Sequence, residues 1–339
     1  MSMPRATPIA IALLLLAAAT GCGDGARSSV LNASSEVARA AGALTGQTTP
    51  MADAAAGHPG FDTGAYPGDD AMRAWRTSSA PYEWAGYYLP SPCHPDEGWS
   101  GKRATLTQMG YGLAVVYVGQ QTWGRIPGAP HLVPVTYSHK VTRKVGFGRK
   151  RHTVTRTITR TVLRLAPPPS PTATCNADFV SAARGVVEGR DAVDRAEREG
   201  FVHGTAIFLD LERMDQLPQS MRDYYSAWVR TVLADKRYRP GIYVHTYNAK
   251  TVYEDVKREY AAAGNAAQPP FWIAKSKGFD LTKLPSEVGH AFAAVWQGVL
   301  DVEQTWNGHK IPIDVNVAAT HNPSAEAPQP GLQVPVESR

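Results

Sequence analysis

Four acidic residues occupy positions where carboxylates can act together. Asp62, Asp210, Glu212 and Asp314 each lie in or at the end of a short apolar run that should form a buried strand. Residues two apart on a strand point to the same side, so Asp210 and Glu212 share one face while Leu211 takes the other. Crowded carboxylates acquire separated pKa values, so one stays protonated while another is ionised. Such a pair can cleave a glycosidic bond, with an acid on the leaving oxygen and a carboxylate as base, nucleophile or charge stabiliser.

Two other interpretations of these acids stay open. An Asp-x-Glu pair is often a solvated strand end, and a carboxylate cluster also suits a divalent cation. The run before Asp210 is strongly apolar and should be buried. This favours a position of Asp210 and Glu212 at the mouth of a cleft over a solvated strand end. Because no histidine joins the acids at ligand spacing, we predict no metal site and no cofactor.

Aromatic residues near the same strand ends could complete a sugar-binding site. Tyr88, Tyr117, Tyr243, Trp272 and Trp296 lie in or at the ends of apolar runs. Their flat faces can stack on sugar rings, and their polar tips can bind hydroxyl groups. Each of them also suits ordinary core packing, because bulky side chains fill the interior of a barrel.

Eight short apolar runs are the strands that would position these residues. The chain is 43% hydrophobic, which excludes a mainly disordered protein. The runs are nearly continuous rather than strictly alternating, as expected when both faces of a parallel sheet are covered. In chain order they are residues 60–62, 84–89, 113–118, 206–212, 241–245, 271–274, 293–297 and 311–317.

Helical patterns separate most of these strands, at residues 177–200, 221–236 and 248–263. The alternation predicts an α/β fold, a (β/α)8 TIM-type barrel. The stretch 297–311 is too short for a full helix, so the barrel should be irregular in its last third. In a closed barrel the first and last strands are neighbours and the fourth faces them, which brings the acids to one mouth. An open doubly wound sheet is the alternative, although no glycine-rich nucleotide motif follows any strand.

The net charge of +5 over 339 residues conceals two pieces of opposite sign. Residues 98–177 contain twelve lysines and arginines and no acid, whereas the rest has 23 basic and 30 acidic residues, a net of −7. Within this segment, residues 133–165 alternate Thr and Val with basic residues around Gly146-Phe-Gly148, which is typical of two long strands and a turn. We therefore predict a basic β-hairpin, inserted after strand three on the mouth side of the barrel.

The sequence alone leaves the binding partner of this hairpin undecided. Its charge suits an anionic envelope surface, such as phospholipid headgroups, phosphorylated wall polymers or the carboxylates of peptidoglycan. Nucleic acid is a poor match, because the hairpin contains only Tyr137 and Phe147 as aromatics and the N-terminus, considered next, predicts export. A solvated hairpin without a specific partner is the alternative.

The N-terminus has the features of an export signal. Arg5 precedes an apolar run that is too short to span a bilayer with ease, and the run ends at Ala19-Thr-Gly-Cys22. This ending resembles a bacterial lipobox, so we predict lipidation of Cys22, with ordinary signal-peptidase cleavage near Ala19 as the alternative. The protein should lie on the outer face of the cell membrane as a lipoprotein, or be secreted to the wall. Membrane contact would then come from the lipid anchor alone.

Two further cysteines fit an exported protein. Cys93 and Cys175 form an isolated pair outside any CxxC motif, which outside the cytosol favours a disulfide over two separate thiols. We expect a monomer with four parts. These are a lipoprotein-type signal peptide (residues 1–21), a flexible linker (22–58), the barrel (59–320, with the insertion 125–174) and a disordered tail (321–339).

Several short motifs, taken together, resemble the glycoside-hydrolase-like barrel family known as domain of unknown function 1906, found in exported actinobacterial proteins. That family is similar in turn to the family 25 lysozymes, muramidases with an irregular barrel. The likeness covers most of residues 60–318 outside the insertion. The motifs are Gly60-Phe-Asp62-Thr, Ile207-Phe-Leu-Asp210-Leu-Glu212, Tyr243 with His245, Val295-Trp-Gln297 and Ile313-Asp314-Val-Asn316.

The resemblance implies a role for each matching residue. Glu212 is the implied general acid and Asp210 its partner. Asp62 and Asp314 match acids of the first and last strands that line the same cleft. Gln297 matches a cleft residue after the penultimate strand.

The expected partner is therefore a cell-wall glycan, and the expected activity is lysozyme-like hydrolysis of peptidoglycan or a related wall polysaccharide. The alternative is a non-catalytic glycan-binding or regulatory lipoprotein that uses the cleft and the hairpin for docking. The candidate substrate-binding residues are Tyr88, Tyr243, Trp296, Gln297 and Asn316.

Overall fold

The computed structural model describes residues 57–325. The strands in this range are β1 (His58–Asp62), β2 (Trp84–Leu89), β3 (Gly112–Val118), β4 (Leu132–Val145), β5 (His152–Leu165), β6 (Ala206–Leu211), β7 (Arg239–His245), β8 (Phe271–Ala274), β9 (Ala293–Trp306) and β10 (His309–Ala318). The α-helices are α1 (Asp69–Arg76), α2 (Arg103–Gln108), α3 (Ala182–Arg198), α4 (Gln219–Asp235) and α5 (Thr246–Ala262).

Eight of these strands close into a barrel in the order β1-β10-β9-β8-β7-β6-β3-β2. They correspond to the eight predicted runs, so the predicted α/β barrel with outer helices is confirmed in its overall form. Strand β6 lies across the barrel from β1 and β10, as the proposed meeting of the four acids requires.

The last strand differs from a regular (β/α)8 barrel. Strand β10 is antiparallel to both of its neighbours, β9 and β1. The reason is local, because Asn307 and Gly308 both have positive φ, at 46° and 78°, between the paired residues Trp306 and His309. Two such residues make the tight turn that a hairpin requires, and no crossover helix fits there. Asp314 therefore does not end a parallel strand, as the sequence analysis assumed, but reaches the mouth from a returning one.

Side chains of the barrel strands alternate between two apolar clusters. The inner cluster fills the barrel around Trp84, Phe208 and Trp272, whereas the larger outer cluster packs the strands against the helices. Because bulky apolar side chains fill the interior of the barrel, the four acids lie beyond them, at the mouth.

Helix α3 begins later than its sequence pattern predicted. Asn176 caps a 3-10 turn at Ala177–Phe179, and Ser181 caps the helix itself by accepting a hydrogen bond from the backbone nitrogen of Arg184. Helices α3 and α4 lie close together at Gly185, where a Cβ would come within 2.1 Å of the carbonyl oxygen of Tyr224. Only glycine permits this approach.

The insertion after β3 forms a two-stranded antiparallel ribbon. Strands β4 and β5 pair along their whole length, from Leu132 opposite Leu165 to Val145 opposite His152. Beside its base, the predicted disulfide Cys93–Cys175 is present, with a Cα–Cα distance of 4.9 Å. We name residues 132–165 the arm.

Several predictions fall outside the described residues. These are the signal peptide, lipidation of Cys22, nearly all of the linker and most of the tail. Within residues 57–325, no helix combines the length and the apolar character needed to cross a membrane.

Candidate active site

Asp62, Asp210, Glu212 and Asp314 line one pocket at the mouth of the barrel. Strand alternation brings them there, since Asp210 follows the inward-facing Phe208 at a spacing of two. Leu211, between the two acids of β6, is buried in the outer cluster. The four predicted site acids are therefore neighbours in space.

Asp62 is buried and accepts hydrogen bonds from three side chains. Tyr88 Oη donates to it at 2.8 Å, Gln297 Nε2 at 3.0 Å and Asn316 Nδ2 at 2.7 Å. Burial raises the pKa of Asp62, and the three donors oppose that shift. Of the four acids, Asp62 has the side-chain donors best placed to hold its ionised form.

Asp314 lies opposite Asp62 on the neighbouring strand and shares one of its donors. Gln297 Nε2 lies 3.2 Å from Asp314 Oδ2, and the backbone nitrogen of Asp301 donates to Oδ1 at 2.7 Å. Asp301 has a φ of 52° in an irregular part of β9, where the register with β10 shifts. Burial and the nearby charge of Asp62 raise the pKa of Asp314 to about 7.

Asp210 is the most isolated of the four carboxyl groups. It is only 9% exposed, and its Oδ1 has no hydrogen-bond partner in the described structure. Burial, followed by the charges of Glu212 and Asp62, raises the pKa of Asp210 well above its ordinary value. An ionised carboxylate oxygen without a hydrogen-bond partner is costly to bury, so the surroundings of Asp210 favour its protonated form.

Glu212 lies at the exposed rim of the same pocket. Its pKa is raised, first by desolvation from the surrounding protein and also by the charge of Asp62. Its backbone is fixed by Gln121, whose Oε1 accepts from the nitrogen of Glu212 at 3.1 Å while its Nε2 donates to the carbonyl oxygen of Asp210 at 2.8 Å. Glu212 thus combines access to solvent with an elevated affinity for its proton.

Three aromatic side chains form the wall and floor of the pocket. Tyr243 Oη donates to Gln297 Oε1 at 2.7 Å, which orients the Gln297 amide so that its nitrogen faces the acids. Trp272 Nε1 donates to Asn316 Oδ1 at 3.0 Å, which orients the Asn316 amide toward Asp62 in the same way. With Tyr88, these residues hold the donor side of the pocket in place.

The position of Trp296 corrects one predicted site residue. It is 1% exposed, belongs to the outer cluster and donates from Nε1 to the carbonyl oxygen of Lys275 at 2.6 Å. Because neighbours on a strand face opposite sides, Gln297 faces the pocket and Trp296 cannot. The tryptophan that lines the pocket is Trp272, not Trp296. Tyr117 belongs to the outer cluster as well, so it does not line the pocket either.

The pocket opens beside a wider depression. The deep part has a volume of about 70 Å³, which admits a few waters but not a sugar ring. The depression of about 240 Å³ shares Asp62, Tyr88 and Asp314 with it and continues over Thr63 and Asp301. A ligand the size of a six-membered ring would therefore lie in the depression, over Asp62 and Asp314, rather than within the deep pocket.

Sequence reasoning missed two contributors to this site. Gln121 lies three residues after the end of β3, and the pair of glutamines just beyond a buried strand was a usable signal. The backbone nitrogen of Asp301 has no signal in its residue type, since it depends on the irregular register of β9. Among residues 57–325, no group of three or more His, Cys, Asp or Glu is placed to hold a metal ion.

The arrangement separates proton donors from proton acceptors. Burial raises the pKa of Asp210 and of Glu212, which favours their protonated forms, whereas three side-chain donors oppose the rise in the pKa of Asp62. An acid and a carboxylate set apart in this way suit cleavage of a bond to oxygen.

Comparisons with solved structures give distant similarities. An uncharacterized protein of B. stearothermophilus is 19% identical, with a TM-score of 0.46, and the match covers 77% of this chain and 96% of that one. The Clostridium perfringens spore cortex lytic enzyme SleM is 10% identical, with a TM-score of 0.42, covering 77% and 67%. The Mycobacterium tuberculosis Tat-secreted protein Rv2525c is 14% identical, with a TM-score of 0.38, covering 78% and 95%.

A comparison with curated proteins finds no match. A family model, in contrast, matches most of the chain. It is described as the Rv2525c-like, glycoside hydrolase-like domain, and it matches residues 73–318, which include Asp210, Glu212 and Asp314. The chain therefore belongs to the Rv2525c-like glycoside hydrolase-like family, which confirms the resemblance predicted from its motifs.

Proposed function

We propose that the protein is an exported hydrolase that cleaves glycosidic bonds of peptidoglycan or a related wall polysaccharide. The observation that carries the proposal is the buried carboxyl of Asp210, whose Oδ1 has no hydrogen-bond partner in the described structure, in the same pocket as Asp62, Glu212 and Asp314. A satisfied structural core would not leave a buried carboxyl oxygen without a partner.

In the proposed reaction, Glu212 is the general acid. Its carboxyl proton passes to the glycosidic oxygen as the bond to the anomeric carbon breaks, and the bonding electrons leave with that oxygen. The positive charge that develops on the sugar is stabilised by the carboxylate of Asp62, whose ionised form is favoured by its three hydrogen-bond donors. A water then adds to the anomeric carbon, and its proton returns to a carboxylate of the site.

The remaining side chains have supporting roles. Asp210, whose protonated form is favoured by burial, can donate a hydrogen bond to the substrate in the proposed reaction. The nearby charge of Asp62, together with burial, raises the pKa of Asp314 to about 7, so Asp314 can take up and release a proton near neutral pH. Tyr88 and Tyr243 line the pocket where a sugar hydroxyl would contact the acids.

Export and attachment are also part of the proposal. The disulfide Cys93–Cys175 supports export, because such bonds persist in oxidising compartments. A wall glycan is the abundant polysaccharide that an exported protein meets there. We further propose that Cys22 carries the lipid anchor.

The test is release of reducing ends from purified peptidoglycan and from other wall polysaccharide fractions. We expect release by the unaltered protein and loss of at least about a hundredfold in the rate for Glu212→Gln, since general acid catalysis contributes that much. Glu254→Gln, at an exposed position on α5, is the matched control and should retain full activity. Binding of wall glycan without any product from any fraction would instead support the non-catalytic docking function.

A further inference from the structure

The arm has two chemically different faces, because paired residues of β4 and β5 point to the same side. One face is mostly Thr and Ser, and its cross-strand hydroxyls bond to one another, as at Thr136 and Thr161, 2.9 Å apart. The other, which we name the arginine face, intersperses arginines with apolar residues. It consists of Val133, Val135, Tyr137, His139, Val141, Arg143 and Val145 on β4 and His152, Val154, Arg156, Ile158, Arg160, Val162 and Arg164 on β5.

Four of the eight apolar side chains of the arginine face are exposed to solvent, and the other four are half-buried. Tyr137, Val141, Val154 and Ile158 are 41–44% exposed, so the barrel does not cover them. Each lies opposite a cation or a histidine on the partner strand, for example Val141 opposite Arg156. A sheet face this apolar is unusual on a soluble surface without a partner.

The tip of the arm also combines an exposed apolar side chain with cations. Phe147 is 96% exposed and lies between Gly146 and Gly148, which both have positive φ. Arg149, Lys150 and Arg151 follow at once and are also exposed. A fully exposed phenylalanine beside three cations is the composition of an interfacial membrane anchor.

The charge of the arm has one sign. It contains nine lysines and arginines and no acid, and none of the nine lies within 4 Å of a carboxylate in residues 57–325. Pairing with a second copy of the arm would place like charges together, which disfavours self-association.

We propose that the arginine face and the tip of the arm dock on an anionic phospholipid bilayer, with Phe147 inserted below the headgroups. Charge complementarity selects an anionic partner. The exposed apolar residues select a bilayer over a soluble anionic polymer, because only a bilayer offers an apolar layer beneath its charges. Arginine side chains can reach up to phosphate groups while their stems and the neighbouring valines contact the lipid.

The docking does not depend on hydrolysis at the barrel. Each strand of the arm spans 14 residues, or about 46 Å at about 3.3 Å per residue. The disulfide Cys93–Cys175 and the ion pair between Arg125 and Asp178 hold the segments that flank its base. A docked arm would therefore keep the cleft within a fixed reach of the membrane, in addition to any lipid on Cys22.

The experiment uses the chain from residue 22 with Cys22→Ser, so that no lipid anchor contributes. It is sedimented with vesicles of phosphatidylglycerol and phosphatidylcholine in equal parts, and with vesicles of phosphatidylcholine alone. We expect salt-sensitive binding to the anionic vesicles only. The joint change of Arg149, Lys150 and Arg151 to Gln should weaken it by about a hundredfold, and Phe147→Ser by about tenfold.

Two control variants separate the arm from the general surface. Val202→Ser replaces a 70% exposed valine of the barrel, and the joint change of Arg190, Arg198 and Lys250 to Gln removes three exposed cations from helices. Both should bind anionic vesicles as the parent does. Equal losses in the control and arm variants would overturn the proposal.

Insertion is tested by an environment-sensitive fluorophore attached through Phe147→Cys. Its emission should shift to the blue with anionic vesicles and stay unchanged with soluble poly(glycerol phosphate). Unshifted emission on bound vesicles, or equal binding of Phe147→Ser and the parent, would mean that Phe147 does not insert into the bilayer. The arginine face would then be a binding surface for soluble anionic polymers. Because activity is not measured, failure here leaves the proposed hydrolysis standing, and the reverse also holds.

Discussion

Asp62 and Asp314 lie opposite each other on the antiparallel strands β1 and β10, and one nitrogen, Nε2 of Gln297, lies within hydrogen-bond distance of both. Two carboxylates on adjacent strands repel each other when both are ionised. A shared amide donor lowers that cost without supplying a full positive charge. The pair therefore titrates over a range that includes neutral pH, with the pKa of Asp314 at about 7.

Replacing the shared donor should move this titration upward. In Gln297→Met the amide that favours both ionised forms is lost, so the pKa values of Asp62 and Asp314 should rise. The acidic limb of the pH–activity profile should shift to higher pH, and carbon-13 NMR of the carboxyl groups should show the same shift without substrate. Gln216→Met, at an exposed position, is the control. An unchanged carboxyl titration would contradict the role given to Gln297.

Much of the site could be predicted because strand alternation is a strict geometric rule. The apolar runs located all eight barrel strands, and the spacing of Asp210 and Glu212 placed both acids on one side. The same rule already implied that Trp296 and Gln297 face opposite ways, so the prediction of both in the cleft was avoidable. The direction of β10 was also accessible, since Asn307-Gly308 is a typical hairpin turn. The bend at Asp301 was not, because it depends on the register of two paired strands.

Asp314→Asn should change stability in a pH-dependent manner. Below pH about 4, Asp314 is protonated in the folded and unfolded states alike, so the variant should match the parent. Between pH about 4 and 7 the folded chain retains a proton that the unfolded chain loses, so the free energy of unfolding of the parent falls as pH rises. Above pH 7 the variant avoids this cost.

Since Asp314 is only partly buried, solvent screening reduces that gain to about 1 kcal/mol, or about 2–4 °C in Tm at pH 8. Thermal unfolding followed by circular dichroism at pH 4 and pH 8 measures it. The exposed Asp70→Asn is the control and should show no comparable gain at pH 8. A gain of equal size at both pH values would point to a packing effect instead.

Gly86→Ala tests how closely the barrel encloses Asp62. A Cβ at this position would lie 2.6 Å from the Cβ of Asp62, so one of the two strands must move. Overpacking of this kind costs about 1–3 kcal/mol, and it should also displace the carboxylate from its three donors. We expect a lower Tm together with a reduced rate of reducing-end release. In Gly64→Ala, the control for stability, the nearest atom would be 3.4 Å away, and the Tm should be nearly unchanged.

Loss of the disulfide should loosen the base of the arm. Cys93 and Cys175 are 82 residues apart in sequence, so the loop-entropy model gives the bond up to about 4.5 kcal/mol. The double change of Cys93 and Cys175 to Ser should lower the Tm and speed proteolytic cleavage near residues 166–175. Cys22→Ser should do neither. Unchanged proteolysis in the double variant would mean that the ion pair between Arg125 and Asp178 is enough to hold the base.

Gln120 and Gln121 form a matched pair for separating site geometry from stability. Both are buried, but Gln121 bonds to the backbone of Asp210 and Glu212, whereas Gln120 donates to Glu188 at 2.7 Å on the outer side of the barrel. Gln121→Leu should lower kcat for glycan hydrolysis with little change in KM, because Glu212 loses its fixed position rather than its contacts with the substrate. Gln120→Leu should lower the Tm instead, because it removes one donor from the buried carboxylate of Glu188. If both variants lost stability and activity in parallel, the two amides would have the same structural role, and Gln121 would not be a positioning residue for the acid.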